Sequence, residues 1–129
     1  MLRSDAQALL NELHAALLAT AHYRNAMANQ IPGSAESLRT QAVERERWGE
    51  RLAEIIRATC DLPDAPDPER EMAHALALRL REVLLGDAAA LEVLAREDAH
   101  LRGLVKRTRA EALPEDAQAL LAEMEQALA

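Results

Sequence analysis

The chain has 129 residues, 50% of them hydrophobic and 29% charged, and its 15 basic and 22 acidic side chains leave a formal net charge of −7. That length suits one domain, and the apolar half excludes a disordered chain. An acidic balance with aromatic rings only at Tyr23 and Trp48 excludes a nucleic-acid binder, which needs a positive footprint and stacking faces.

Ala (28) and Leu (22) dominate while Phe is absent, so the composition favours helices over a sheet. No stretch reaches the roughly 18 apolar residues of a membrane span. Asp5, Asn11, Glu12 and His14 interrupt the apolar start, so residues 1–30 read as part of the fold rather than as a leader. Cys60 is the single cysteine and has no intrachain partner, which suits a reducing, cytoplasmic setting.

Five helices are predicted, over about 4–30, 34–60, 68–85, 87–112 and 114–128, in a single domain covering 1–129. Ser4 caps the first, with Gln7 completing a capping box. Ile31-Pro32-Gly33 stops it, and Ser34 caps the second. Two rods of similar length joined by so short a break predict an antiparallel hairpin. The linker 61–68 carries three prolines and three aspartates. Asp67 and Pro68 open the third helix, Gly86 ends it, Asp87 caps the fourth, and Pro114 opens the fifth.

At about 100° per residue, each rod shows an apolar face. The first turns Leu9, Leu10, Leu13, Leu17, Met27 and Ile31 inward, and the second Leu38, Gly49, Leu52 and Ile56 with Trp48 at the flank. The third offers Met72, Leu76, Leu80, Val83 and Leu84. The fourth offers Leu91, Leu94, Leu101, Leu104 and Val105, and the last Ala117, Leu120, Leu121, Met124 and Leu128. Three charged residues, Arg24, Arg45 and Glu97, fall on these faces. An isolated buried charge costs several kcal/mol or shifts its pKa. The simplest arrangement is a buried polar cluster in which Glu97 accepts from the arginines; the alternative extends each guanidinium to water along an apolar stem.

Two further surfaces stand out. Ala88, Ala95, Ala99, Gly103 and Ala110 line the outer side of the fourth helix, as Ala8, Ala15, Ala19 and Ala26 do on the first. They serve either as helix formers on a solvated face or as a seam for close helix approach, as in a homodimer or against a partner helix. The run from Glu44 to Arg51 is a salt-bridged face, with an interaction patch centred on Trp48 as the alternative.

Two Glu-x-x-His strings, Glu71/His74 and Glu97/His100, have the spacing used in dinuclear bundles. Glu71 and His74 lie opposite the leucine stripe of their helix. Glu97 points inward, but His100 sits at the stripe boundary, about 100° from its centre. The first helix has no inward carboxylate, since Glu12 and His14 lie at the boundaries and His22 outside. In the second helix Glu44, Glu46, Glu50 and Glu54 sit at the flanks, and in the last Glu123 and Glu125 do. Two central arginines oppose the concentrated negative charge such a centre needs, so no metal or other cofactor is expected. Glu97 and His100 with iron or manganese form the alternative. Cys60 has no activating neighbour, and no phosphate loop or nucleophile elbow occurs.

The chain resembles a bacterial family of ferritin-like four-helix-bundle proteins of unknown function. The resemblance runs from about Leu10 to Leu128. It is carried by Leu10-Asn11-Glu12-Leu13, by Tyr23-Arg24 with Ala26, and by Arg45-Glu46-Arg47-Trp48 leading to Leu52. Leu62-Pro63, Gly86-Asp87 with Ala90-Leu91, Glu97-Asp98-Ala99 and Ala112-Leu113-Pro114 continue it. It implies an all-α, ferritin-like antiparallel bundle whose shorter third helix belongs to the crossover between two hairpins. The expected function is that of a non-catalytic interaction or stress-associated accessory protein. The alternatives are a ferritin-type metal-binding oxidoreductase or iron store, and an adaptor or chaperone-like protein that binds a partner helix.

Overall fold

A computed structural model of the chain describes residues 4–59 and 86–129. Within them lie four α-helices and a short 3-10 turn, and no strand. Helix α1 spans Asp5–Gln30 and α2 spans Ala35–Ala58, with the 3-10 turn Pro32–Ser34 between them. Helix α3 spans Asp87–Arg109 and α4 spans Glu115–Ala127. The predicted helix over 68–85, with Met72, Leu76, Leu80, Val83, Leu84 and the Glu71/His74 string, lies outside the described residues. So do Cys60 and the linker 61–68.

The helix ends follow local chemistry. The Ser4 hydroxyl accepts from the Gln7 backbone N–H at 3.2 Å, and the Ser4 N–H donates to Gln7 Oε1 at 3.0 Å. This is the expected capping box, and it satisfies two otherwise unpaired donors. Ser34, the last residue of the 3-10 turn, occupies the cap position of α2 without a side-chain hydrogen bond. At α3 the cap falls on Gly86, not Asp87. Gly86 has φ 87° and ψ 175°, a conformation open essentially to glycine alone, and Asp87 sits in the first turn, where its charge complements the helix dipole. Helix α3 stops at Arg109 rather than at about residue 112. Gln118 Nε2 donates to the carbonyls of Arg109 and Glu111 at 3.2 and 3.1 Å and so draws the chain into the turn. Pro114 is the cap residue of α4 rather than its first helical residue.

Side-chain pairs fix the directions. Arg24 reaches Gln41, Asn25 reaches Glu46, and a Cβ on Gly49 would meet Leu18 Cδ2 at 3.3 Å, so α1 and α2 are antiparallel and closely apposed. Arg109 pairs with Glu125, and Arg102 Nη1 donates to the Leu128 carbonyl at 3.0 Å, so α3 and α4 form a second antiparallel hairpin. Around the bundle, α1 packs on α2 and α3, and α4 packs on α2 and α3. Helices α2 and α3 therefore face each other across a diagonal.

The core has two apolar clusters. One gathers Leu10, Leu13 and Leu17 of α1, Trp48, Leu52, Ile55 and Ile56 of α2, Leu101, Leu104 and Val105 of α3, and Ala117, Leu120, Leu121, Met124 and Leu128 of α4 and its end. The other gathers Tyr23, Met27, Ala28, Ile31, Leu38, Ala90 and Leu94. Each fully buried Leu in such a cluster contributes about 1.5–3 kcal/mol relative to an exposed one. The clusters show that the start of α3 lies beside the end of α1. Helices α2 and α3 therefore run parallel. The chain leaves α2 at one end of the bundle and enters α3 at the other.

Helix α4 is half as long as α1, 13 residues against 26, so it flanks only one half of the bundle. Among the described residues no helix is long and apolar enough to cross a membrane.

Candidate functional site: a buried arginine–carboxylate layer

Between the two apolar clusters the leucine pattern of three helices breaks at one level. Thr20 and Arg24 occupy that level on α1, Gln41 and Arg45 on α2, and Glu97 and Asp98 on α3. Arg24 is 2% exposed and Arg45 4%. Both guanidinium groups converge on Asp98. Arg24 Nη2 lies 2.7 Å from Asp98 Oδ2, and Arg45 Nη2 lies 3.1 Å from both carboxylate oxygens. The Arg45 pair spans the α2–α3 diagonal, so the layer sits on the bundle axis. One side remains open to water, since the Asp98 side chain is 22% exposed.

The remaining donors are largely accommodated. Arg24 Nε donates to Gln41 Oε1 at 2.9 Å, and Arg24 Nη1 donates to the Thr20 hydroxyl. Arg45 Nη1 donates to the Gln41 carbonyl at 3.3 Å and to Glu44 Oε1 at 3.2 Å. Arg45 Nε is buried without a hydrogen-bond acceptor among the described residues. The Arg45 guanidinium carbon lies 5.7 Å from the centre of the Trp48 ring, a cation–π distance that helps a desolvated cation.

The two guanidinium groups share Asp98, and Arg45 also meets the exposed Glu44 carboxylate. Burial lowers the Arg24 pKa, the neighbouring Arg45 lowers it further, and Asp98 and Glu97 oppose both. Glu97 is partly buried, and its pKa is raised to about 7, chiefly by burial. Arg24 works against that rise and Asp98 adds to it. Near neutral pH Glu97 is therefore only partly ionised.

The structure thus brings Arg24, Arg45 and Glu97 to one level, but Asp98 is the carboxylate both arginines grip. The helical wheel passed over Asp98 because it ranks residues by angle from the stripe centre. The available signal was the gap itself: Leu94 and Leu101 are separated by an acidic pair where a further leucine would continue the repeat.

Trp48 is 4% exposed and packs in the core, so it anchors no surface patch. The flanking run from Glu44 to Arg51 is exposed apart from Arg45, Trp48 and Gly49, and Arg51 reaches Glu123 of α4 at 2.6 Å. His100 lies exposed on the surface while Glu97 turns toward the layer, so the two do not present a common inward face. His14 is buried, whereas Glu12 and His22 are exposed. No group of three or more His, Cys, Asp or Glu side chains that could hold a metal ion occurs among the described residues. Ala88, Ala95, Ala99, Gly103 and Ala110 are all exposed along α3. An open groove lined by Asp5, Ala8, Leu9, Arg107, Ala110 and Glu111 lies at the opposite end of α1 from Arg24.

Comparison of the chain with protein-family models, curated proteins and solved structures finds no match.

Proposed function

We propose that the chain is a ferritin-like helical bundle acting as a non-catalytic, cytoplasmic accessory protein of the interaction or stress-associated kind. In this reading an arginine–carboxylate layer stands where ferritin relatives hold metal. The observation that carries it is the convergence of Arg24 and Arg45 on Asp98 at the bundle axis. A dinuclear cation site needs several carboxylates facing inward, with imidazoles from neighbouring turns. Two fixed guanidinium groups at that level repel a divalent cation, and they already occupy the carboxylate that could bind one.

The ferritin-like part of the reading is supported by connectivity. Two antiparallel hairpins are joined by a single long connection, residues 59–86, that links opposite ends of the bundle. Bundles of the ferritin type have one such crossover.

The test is elemental analysis of protein purified without chelator, followed by titration with ferrous iron and manganese. The reading expects substoichiometric metal and no saturable binding. Stoichiometric iron or manganese that is lost in Glu97→Ala overturns it in favour of a metal-binding oxidoreductase or store.

A further inference from the structure

We propose that the Arg24–Asp98–Arg45 triad is a register lock that sets the axial position of the α3–α4 hairpin against the α1–α2 hairpin. This inference is independent of the functional reading above. Each hairpin has its own register fixed covalently, because the chain crosses from α1 to α2 through Ile31–Ser34 and from α3 to α4 through residues 110–114. Between hairpins the connection is residues 59–86. No short turn of the kind that joins the helices within each hairpin therefore sets the register between them.

The apolar faces do not prevent an axial shift. Outside the layer, buried apolar residues recur at helical spacing along each helix, so a one-turn translation leaves most of them opposite other apolar residues. The exposed Arg51–Glu123 pair between α2 and α4 holds little, as surface ion pairs do.

The triad makes both one-turn shifts unfavourable. In one direction Arg102 takes the place of Asp98 and brings a third guanidinium to Arg24 and Arg45. In the other, Leu94 takes that place, leaving two buried guanidiniums without their carboxylate and carrying Asp98 toward the level of Leu13, Leu17 and Leu52. A buried ion pair is weak evidence for stability, since apolar replacements often match or exceed it. Its best-attested use is to choose one register among several.

The experiment replaces the whole layer with apolar side chains, Arg24→Met, Arg45→Met and Asp98→Leu, in the full chain with Cys60→Ala. Spin labels are placed on two exposed positions near opposite ends, Glu36→Cys on α2 and Arg107→Cys on α3. They are separated by roughly 27 Å along the axis at 1.5 Å per residue. Pulsed dipolar spectroscopy of the unsubstituted layer should give one narrow distance. The apolar triple variant should keep its helical circular dichroism and its melting temperature, and should show a second distance displaced by up to about 6 Å, one turn. A single distance unchanged from the parent overturns the proposal. So does loss of helicity in the triple variant, because the layer then acts through stability rather than through choice of register.

Discussion

Removing the Asp98 side chain isolates the energetic role of the buried layer. Asp98→Ala leaves Arg24 and Arg45, 2% and 4% exposed, facing each other without their shared carboxylate. Breaking a buried pair from one side costs about 3–5 kcal/mol, because the partner charge stays desolvated. The cost here falls at the lower end of that range. Asp98 is 22% exposed, so water can enter where its carboxylate was, and Gln41 and Thr20 keep their hydrogen bonds to Arg24. A loss of about 3 kcal/mol corresponds to a melting temperature roughly 10 °C lower for a domain of this size. Urea denaturation followed by circular dichroism at pH 7 measures it, with Glu92→Ala as a control that removes an exposed ion pair to Arg96. The control should change stability by less than about 0.5 kcal/mol. If Asp98→Ala costs no more than the control, the two arginines are not held in a desolvated layer and the reasoning fails.

Two other changes probe different parts of the structure. The Glu97 carboxyl, pushed up to about 7, holds a proton in the folded chain across a range where the unfolded chain has already lost it near 4.5. The unfolded state binds fewer protons there, so this group makes stability fall as pH rises from about 4.5 to 7, by about 1–2 kcal/mol after allowance for its partial solvation. Glu97→Gln should flatten that slope and gain stability over the parent at pH 8 while matching it near pH 4; parallel pH profiles would contradict the assignment. Gly86→Ala places a Cβ at φ 87° and should lower stability by about 1–3 kcal/mol, read by the same urea titration, and a neutral result would mean that α3 begins differently.

Much of the fold is legible in the residues themselves. The capping box at Ser4, the stop at Ile31-Pro32-Gly33 and the apolar faces of α1, α2 and α4 follow from local chemistry and periodicity, both of which act over a few residues. The burial of Ala42, Ala53 and Ala90 is not legible in the sequence, because alanine is apolar enough to bury and small enough to leave exposed, so its face is set by neighbouring helices. His14 and Asn11 are buried for the same reason: the neighbouring helices, not the α1 wheel, decide where its boundary falls. The site was half legible. Arg24 and Arg45 stand out as charges at the centre of apolar stripes, but which carboxylate they grip depends on the relative height of helices whose sequence separation exceeds 50 residues. A one-helix projection carries no information on that height. Trp48 shows the converse: its place at the flank of the inward face of α2 leaves both core and surface patch open, and the structure buries it beneath the Arg45 guanidinium.

The guanidinium groups themselves report most directly on the layer. In ¹H–¹⁵N spectra of arginine side chains, Arg24 and Arg45 should show separate Nη signals, with rotation about the Nε–Cζ bond slowed by contact with Asp98, while exposed Arg39, Arg47 and Arg57 give averaged ones. Collapse of the Arg24 and Arg45 signals in Asp98→Ala completes the expected result. Averaged, rapidly exchanging Nη signals for both residues in the parent chain would contradict the account.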